Sequence, residues 1–275
     1  MAEHKLDRLS ALLEGLAPEV SLGLAHDVCV QGSPQSGMAN TLQLFFLTCG
    51  SAELKTGASA QQIGAPALIA VHGSQPFVLH RFTAEASCRL VAAQVRLTGP
   101  VATLFLEEFA IPRTVALSHG EPALRLAVAM IESELAAPRC GQPALLNRAG
   151  DILFIGLLRH LVANPGAMGG GLFNGLADPR IAKVLVAMHH RPTHPWDLAL
   201  LAHEAGMSRT AFSTKFHETM RRPPGKYLAA LRLAMAQRAV ELGKGLKEAA
   251  RLSGYGNPSA LSRALARARS PTPSL

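Results

Sequence analysis

The chain has 275 residues and a mass of 29.0 kDa, and 48% of its residues are apolar. That excludes a disordered or collagen-like polymer and predicts one large domain or two ordinary ones. No apolar run reaches the ~18 residues a spanning helix needs, and the opening MAEHKLDRLS lacks the apolar core of a secretory signal, so a soluble cytoplasmic protein is expected. The net charge of +8 conceals a split: residues 176–275 hold 16 Lys and Arg against 6 Asp and Glu, a net of +10, and the first 175 residues carry −2. A basic part beside a near-neutral one predicts a polyanion partner for the first and a different task for the second.

In chain order, Leu6, Leu9, Leu13 and Leu16 recur at helical spacing and predict a short amphipathic helix. From about Val20 to Leu97, short apolar runs such as Leu42–Leu47, Ala67–Val71 and Arg89–Leu97 alternate with Gly, Pro, Ser and Asn clusters, the pattern of a sandwich or barrel. After Thr98 the pattern is helical, over Val101–Phe109, Ala123–Ala136 and Ala144–Val162. The segment Ala163–Pro179 has five glycines and two prolines and is predicted to be a linker. The expected domains are 1–162, a linker at 163–177, and 178–275.

The last domain reads as wholly helical. Ile181, Val184, Leu185 and Met188 share one face. A helix capped by Asp197 runs to Glu204, Gly206 turns the chain, and Ser208 caps a helix with Phe212 and Phe216 inward. Pro223 and Pro224 start a longer helix to about Leu242, with Leu228, Leu231, Met235 and Ala239 inward. A second helix–turn–helix then follows: Leu246–Ser253, a turn at Gly254, and a helix capped by Asn257 with Leu261 and Leu265 inward. The two turn glycines are 48 residues apart. A connecting helix of ~20 residues spans ~30 Å, close to the ~34–36 Å between successive major-groove entries.

At these residues the chain resembles a known family. The run from Trp196 to Phe216, with Pro224 to Leu228 and Arg232, resembles the first helix-turn-helix and linker helix of AraC/XylS-type transcriptional regulators, and Gly254 to Leu265 resembles the second. The stretches Leu6–Leu13, Leu54–Phe82, Arg89–Pro100 and Ala136–Pro143 resemble the cupin-type sensor domain of one subgroup. The resemblance implies an α+β chain: an N-terminal cupin-like β-barrel with flanking helices, and a C-terminal all-α double helix-turn-helix. It implies a nucleoid-associated regulator that binds double-stranded promoter DNA, answers a small-molecule effector or oxidant, forms a homodimer, and meets RNA polymerase where it activates. Where the family usually carries aromatics, this chain has Leu261 and Leu265.

The resemblance places Thr210, Ser213 and Thr214 on the groove side of the first recognition helix, and Pro258, Ser259, Ser262 and Arg263 on that of the second. Arg263 suits guanine O6 and N7, with a phosphate contact as the alternative. Arg209, Lys215, Arg221 and Arg222 read as phosphate contacts. No metal is expected: Phe45 stands where related domains carry His, His72 and His80 lack the usual spacing, and Pro192 interrupts the group His189, His190 and His194. No cofactor is expected. Cys29 and Cys88 are candidates for a redox pair, with burial as the simpler role, and Ala92 replaces a second family cysteine. The chain holds no GxSxG, HExxH, GxGxxG or Walker motif, and the alternative reading is a cupin-type metalloenzyme or a metal-binding sensor fused to a helical domain.

Overall fold

The computed structural model describes residues 8–25, 29–32, 39–57, 59–81, 89–117 and 122–269. They fall into two compact units whose segments interleave along the chain: 18–98 with 106–161, and 1–17 with 99–105 and 162–275.

Helix α1 (Arg8–Leu16) is followed by eight strands: β1 (Pro18–Ala25), β2 (Cys29–Gly32), β3 (Thr41–Cys49), β4 (Ser51–Thr56), β5 (Ser59–Gly64), β6 (Ala67–His72), β7 (Phe77–Arg81) and β8 (Arg89–Leu97). Then come α2 (Ala102–Leu106), a 3-10 turn at Glu107–Phe109, β9 (Arg113–Ala116), α3 (Pro122–Ala136) and α4 (Gln142–Ala163). The strands form an antiparallel sheet in the order β1-β8-β3-β6-β9 and a second in the order β2-β7-β4-β5. No pairing joins the two among the described residues, so the cupin-like part is two facing sheets with open edges. Strand alternation explains the arrangement. Phe45, Leu47, Ile69, Val71 and Leu90 of the larger sheet meet Leu54, Ile63, Phe77 and Leu79 of the smaller in one buried core.

One expectation is corrected here. The chain does not stay helical after Thr98, because Arg113–Ala116 returns as β9 against β6, with Ala67 opposite Ala116. Four residues are too few for a period-2 pattern to stand out beside the helices around them. Helices α3 and α4 pack closely: a Cβ at Gly156 would sit 3.2 Å from the Leu124 backbone.

The other unit is helical. It adds α5 (Leu172–Ala177), α6 (Pro179–His190), α7 (Leu198–Glu204), α8 (Arg209–Met220), α9 (Pro224–Glu241), α10 (Leu246–Ser253) and α11 (Pro258–Arg269) to α1 and α2. The Gly-rich segment 163–177 carries ordered structure, with a 3-10 turn at Pro165–Met168 and α5, whose Leu172, Phe173 and Leu176 are buried. Apolar residues at i, i+1 and i+4 within it outweigh the glycines. Helix α1 lies on α6, and Arg8 donates to the Leu176 carbonyl at 2.9 Å, satisfying an orphan acceptor at the end of α5. Among the described residues no helix is long and apolar enough to cross a membrane.

Candidate nucleic-acid interface

The first helix–turn–helix is α7 and α8. The Asp197 carboxylate accepts the Leu200 amide at 2.7 Å and starts α7. Gly206 turns the chain at φ +63°, a conformation unfavourable for other residues. The Ser208 hydroxyl accepts the Ala211 amide at 3.3 Å and starts α8. Phe212, Phe216 and Met220 of α8 are buried. The rings of Phe212 and Phe216 meet edge-to-face at 5.5 Å, and Tyr227 of α9 meets Phe216 at 6.1 Å. That aromatic stack fixes the roll of α8. It leaves Thr210 and Thr214 exposed and Ser213 half-buried.

The second motif, α10 and α11, repeats the plan with smaller residues. Gly245 offers no side-chain cap. Gly254 ends α10 at φ +77°, and Asn257 Oδ1 accepts the Ala260 amide at 2.8 Å. The core is Ala236, Ala239, Ala249, Ala250, Leu261 and Leu265. Inside it, the buried Ser253 hydroxyl donates to the Ala249 carbonyl at 2.6 Å. Pro258, Ser259, Ser262 and Arg263 are exposed.

The four cations expected to meet phosphate divide. Arg209 is exposed and Arg222 half-buried. Lys215 is 2.7 Å from Asp178, whose carboxylate also caps α6 by accepting the amides of Arg180 and Ile181. Burial opposes ionisation of Asp178, but the Lys215 bond and the two amides outweigh it, and its pKa is lowered. Arg221 Nε donates to the Gly169 carbonyl at 3.2 Å. The segment that leads into α6 therefore holds one cation of α8, Lys215, and the residue at its C-terminal cap, Arg221, pairings that long sequence separation hid.

Sequence reasoning named Tyr227, His189 and Arg232 but not the contacts they make. His189 is half-buried, and its Nε2 lies 2.8 Å from the Tyr227 hydroxyl. Burial, with a smaller contribution from neighbouring His190, lowers its pKa to about 4. Arg232 reaches from α9 to the loop between α6 and α7: Nε donates to the Pro192 carbonyl at 2.8 Å and Nη2 to that of His194 at 2.7 Å. An Arg at mid-helix reads in sequence as a solvated charge.

In the sheet unit, His72 Nδ1 accepts the Ser74 amide at 3.1 Å, and His80 lies 2.9 Å from Glu53. Phe45 is buried 5.3 Å from Phe77, and Ala92 packs on the same core. No group of three or more His, Cys, Asp or Glu placed to hold a metal occurs among the described residues. Cys29 opens β2 with its backbone opposite His80, and Cys88 lies outside the described residues.

A family model described as a cupin matches residues 7–163, and one described as a helix-turn-helix domain matches residues 201–275. A protein of Streptomyces antibioticus described as an AraC-like transcription regulator is 33% identical over 162 residues, which cover 57% of this chain and 53% of that protein. The HTH-type transcriptional regulator AlkR of Acinetobacter baylyi is 27% identical over 164 residues, covering 58% and 53%. The chain's matched region spans about half the length of these curated relatives. A crystal structure of ToxT from Vibrio cholerae O395 aligns with 90% of this chain and 92% of its own, at 13% identity and a TM-score of 0.38.

Proposed function

Because the chain belongs to the cupin family over residues 7–163, within the AraC-type regulators that join such a domain to a helix-turn-helix domain, we propose that it is a sequence-specific, non-enzymatic DNA-binding transcription regulator. In this reading residues 1–162 answer a small molecule or oxidant and provide homodimer contacts, 163–177 connect, and 178–275 bind promoter DNA. RNA polymerase is the further partner where transcription is activated.

The observation that carries the proposal is the repeated motif on a basic unit. Two recognition helices, each started by a side-chain cap, present short hydroxyls and one guanidinium outward. Thr210, Ser213 and Thr214 face bases from α8, and Ser259, Ser262 and Arg263 from α11. Arg209, Lys215, Arg221 and Arg222 supply phosphate contacts, Lys215 by exchanging its bond to Asp178 and Arg221 its bond to the Gly169 carbonyl.

The test is binding of the full chain to duplex DNA, followed by fluorescence anisotropy across a salt series. Neutralising about six phosphates gives a slope of log K against log salt near −5, at roughly −0.9 per contact. Absence of binding at low salt, or binding that salt leaves unchanged, refutes the proposal.

A further inference from the structure

The loop between α6 and α7 is built as a rigid block. The Trp196 indole donates to the Arg191 carbonyl at 2.9 Å, and the Arg191 guanidinium lies 5.0 Å over the same indole ring. His194 meets that ring edge-on at 4.6 Å, and the Trp196 amide donates to the His194 carbonyl at 2.7 Å. This block leads directly into the first helix–turn–helix, since Asp197 caps α7.

The second motif touches the same block. A Cβ at Gly254, the turn residue of that motif, would lie 2.8 Å from the Thr193 Cα and 3.2 Å from the Pro192 carbonyl oxygen. The turn of the second motif and the loop that leads into the first therefore approach as closely as a glycine permits. Arg232 sits at this point. Its two donated bonds reach Pro192 and His194, on either side of Thr193, and its Nε is 3.2 Å from the same Gly254 position. Helix α9, which carries it, also supplies Tyr227 to the first motif's core and Ala236 and Ala239 to the second's. A single α9 could still leave the two motifs free to roll about its axis. The fork of Arg232, bonded to the first motif's entry loop and stacked beside the second's turn, removes that freedom.

We propose that Arg232 is a positioning residue that fixes the orientation of the two recognition helices relative to each other, and so sets the spacing between the half-sites the protein accepts in DNA. The inference rests on the DNA-binding function proposed above. It needs no contact between Arg232 and DNA. Each inserted base pair rotates one half-site by about 34–36° about the helix axis, as ~10–10.5 pairs complete a turn, so a rigid junction discriminates spacing and a loose one does not.

The experiment selects binders to the full chain from a random duplex pool, then measures affinity for the selected site with one base pair inserted or deleted between its halves. The wild type is expected to yield a two-part site and to lose at least about tenfold in affinity on either change, a loss of ~1.4 kcal/mol. Arg232→Lys keeps the charge but not the planar fork, and should select the same half-site bases with the spacing penalty reduced to about threefold or less, equivalent to ~0.6 kcal/mol. The salt slope should not change, because the guanidinium faces carbonyls. Gly254→Ala wedges the junction from the other side without altering charge and should likewise shift or broaden the accepted spacing. Trp196 fluorescence and the thermal midpoint establish that each variant is folded. Retention of the wild-type spacing penalty by a folded variant of either kind, with affinity lowered uniformly, overturns the inference, as does loss of folding in both. Failure of the wild type to enrich any site overturns the DNA-binding function itself and is distinguishable from both.

Discussion

Lowering the pH from 7.5 to 5 should destabilise the helical unit through His189. The side chain is half-buried, shares a hydrogen bond with Tyr227, and has a pKa of about 4 in the folded chain against an ordinary value of 6.5. The folded state thus holds a neutral imidazole that the unfolded state protonates readily. The stability of the neutral form is complete above pH ~6.5 and is lost progressively as pH falls from ~6.5 to ~4, below which the loss is constant. Across that window it amounts to about 3 kcal/mol, and at pH 5 to about 2 kcal/mol relative to pH 7.5. Trp196, the chain's one tryptophan, lies in the helical unit and reports its unfolding separately. Urea titrations followed by its fluorescence at pH 7.5, 6 and 5 supply the measurement, for the wild type and for His189→Gln, which keeps a polar group beside Tyr227 but cannot titrate. The variant should be less stable at pH 7.5 and show a much flatter pH dependence. Equal pH dependence in the two proteins would show that another group controls acid sensitivity.

The two motifs should differ in robustness. Phe212→Ala is expected to cost about 4 kcal/mol and Leu261→Ala about 2–3 kcal/mol, and equal losses in urea unfolding would refute the uneven-core reasoning. Asp178→Asn should keep the α6 cap, which Asn provides well, and lose only the half-exposed pair with Lys215, for a stability change under about 1 kcal/mol. Lys215→Met should make the salt slope of DNA binding shallower by about 0.9; an unchanged slope would mean that Lys215 stays on Asp178 in the complex. Arg263→Ala should cost about 1–3 kcal/mol on the preferred site and relax discrimination at one base pair. A uniform loss across sequences would make Arg263 a phosphate contact.

The helical unit was legible in sequence because its signals are local. Asp197, Ser208 and Asn257 announce helix starts within three residues of the amides they bind, and Gly206 and Gly254 mark left-handed turns. Of the inward set Leu228, Leu231, Met235 and Ala239, helical period placed all but Met235, which is half-buried, and Tyr227, which closes the aromatic stack, did not enter it. The remaining features depend on distant partners. Nothing near Lys215 in sequence indicates Asp178, and nothing near Arg232 indicates the Pro192 carbonyl. The order within the Gly-rich segment was not legible, because composition reports flexibility of an isolated chain, whereas Phe173 and Leu176 of that segment are buried by neighbours. The sheet pairing was visible only as alternation: β1 lies beside β8, a partner 65 to 79 residues away that no local pattern names.

The chain passes between its two compact units four times, at 17/18, 98/99, 105/106 and 161/162. Neighbouring strands β1 and β8 pair Pro18 with Leu97, and both leave the sheet there, where the Gly99 amide donates to the Leu16 carbonyl at 2.8 Å. This has a consequence for how such genes recombine. A crossover that replaces residues 1–162 with a foreign sensor also removes α1 and residues 99–105, and with them the Arg8 bond to Leu176 and the Phe105 ring that meets Phe173 edge-to-face at 5.9 Å. The helical unit would inherit a stranger's helix against its own α6. A graft that respects the architecture keeps residues 8–17 and 99–105 native and splices at all four crossings. A single-crossover exchange at 162/163 is therefore disfavoured, and the two units of this chain are expected to diverge together rather than be traded as separable cassettes.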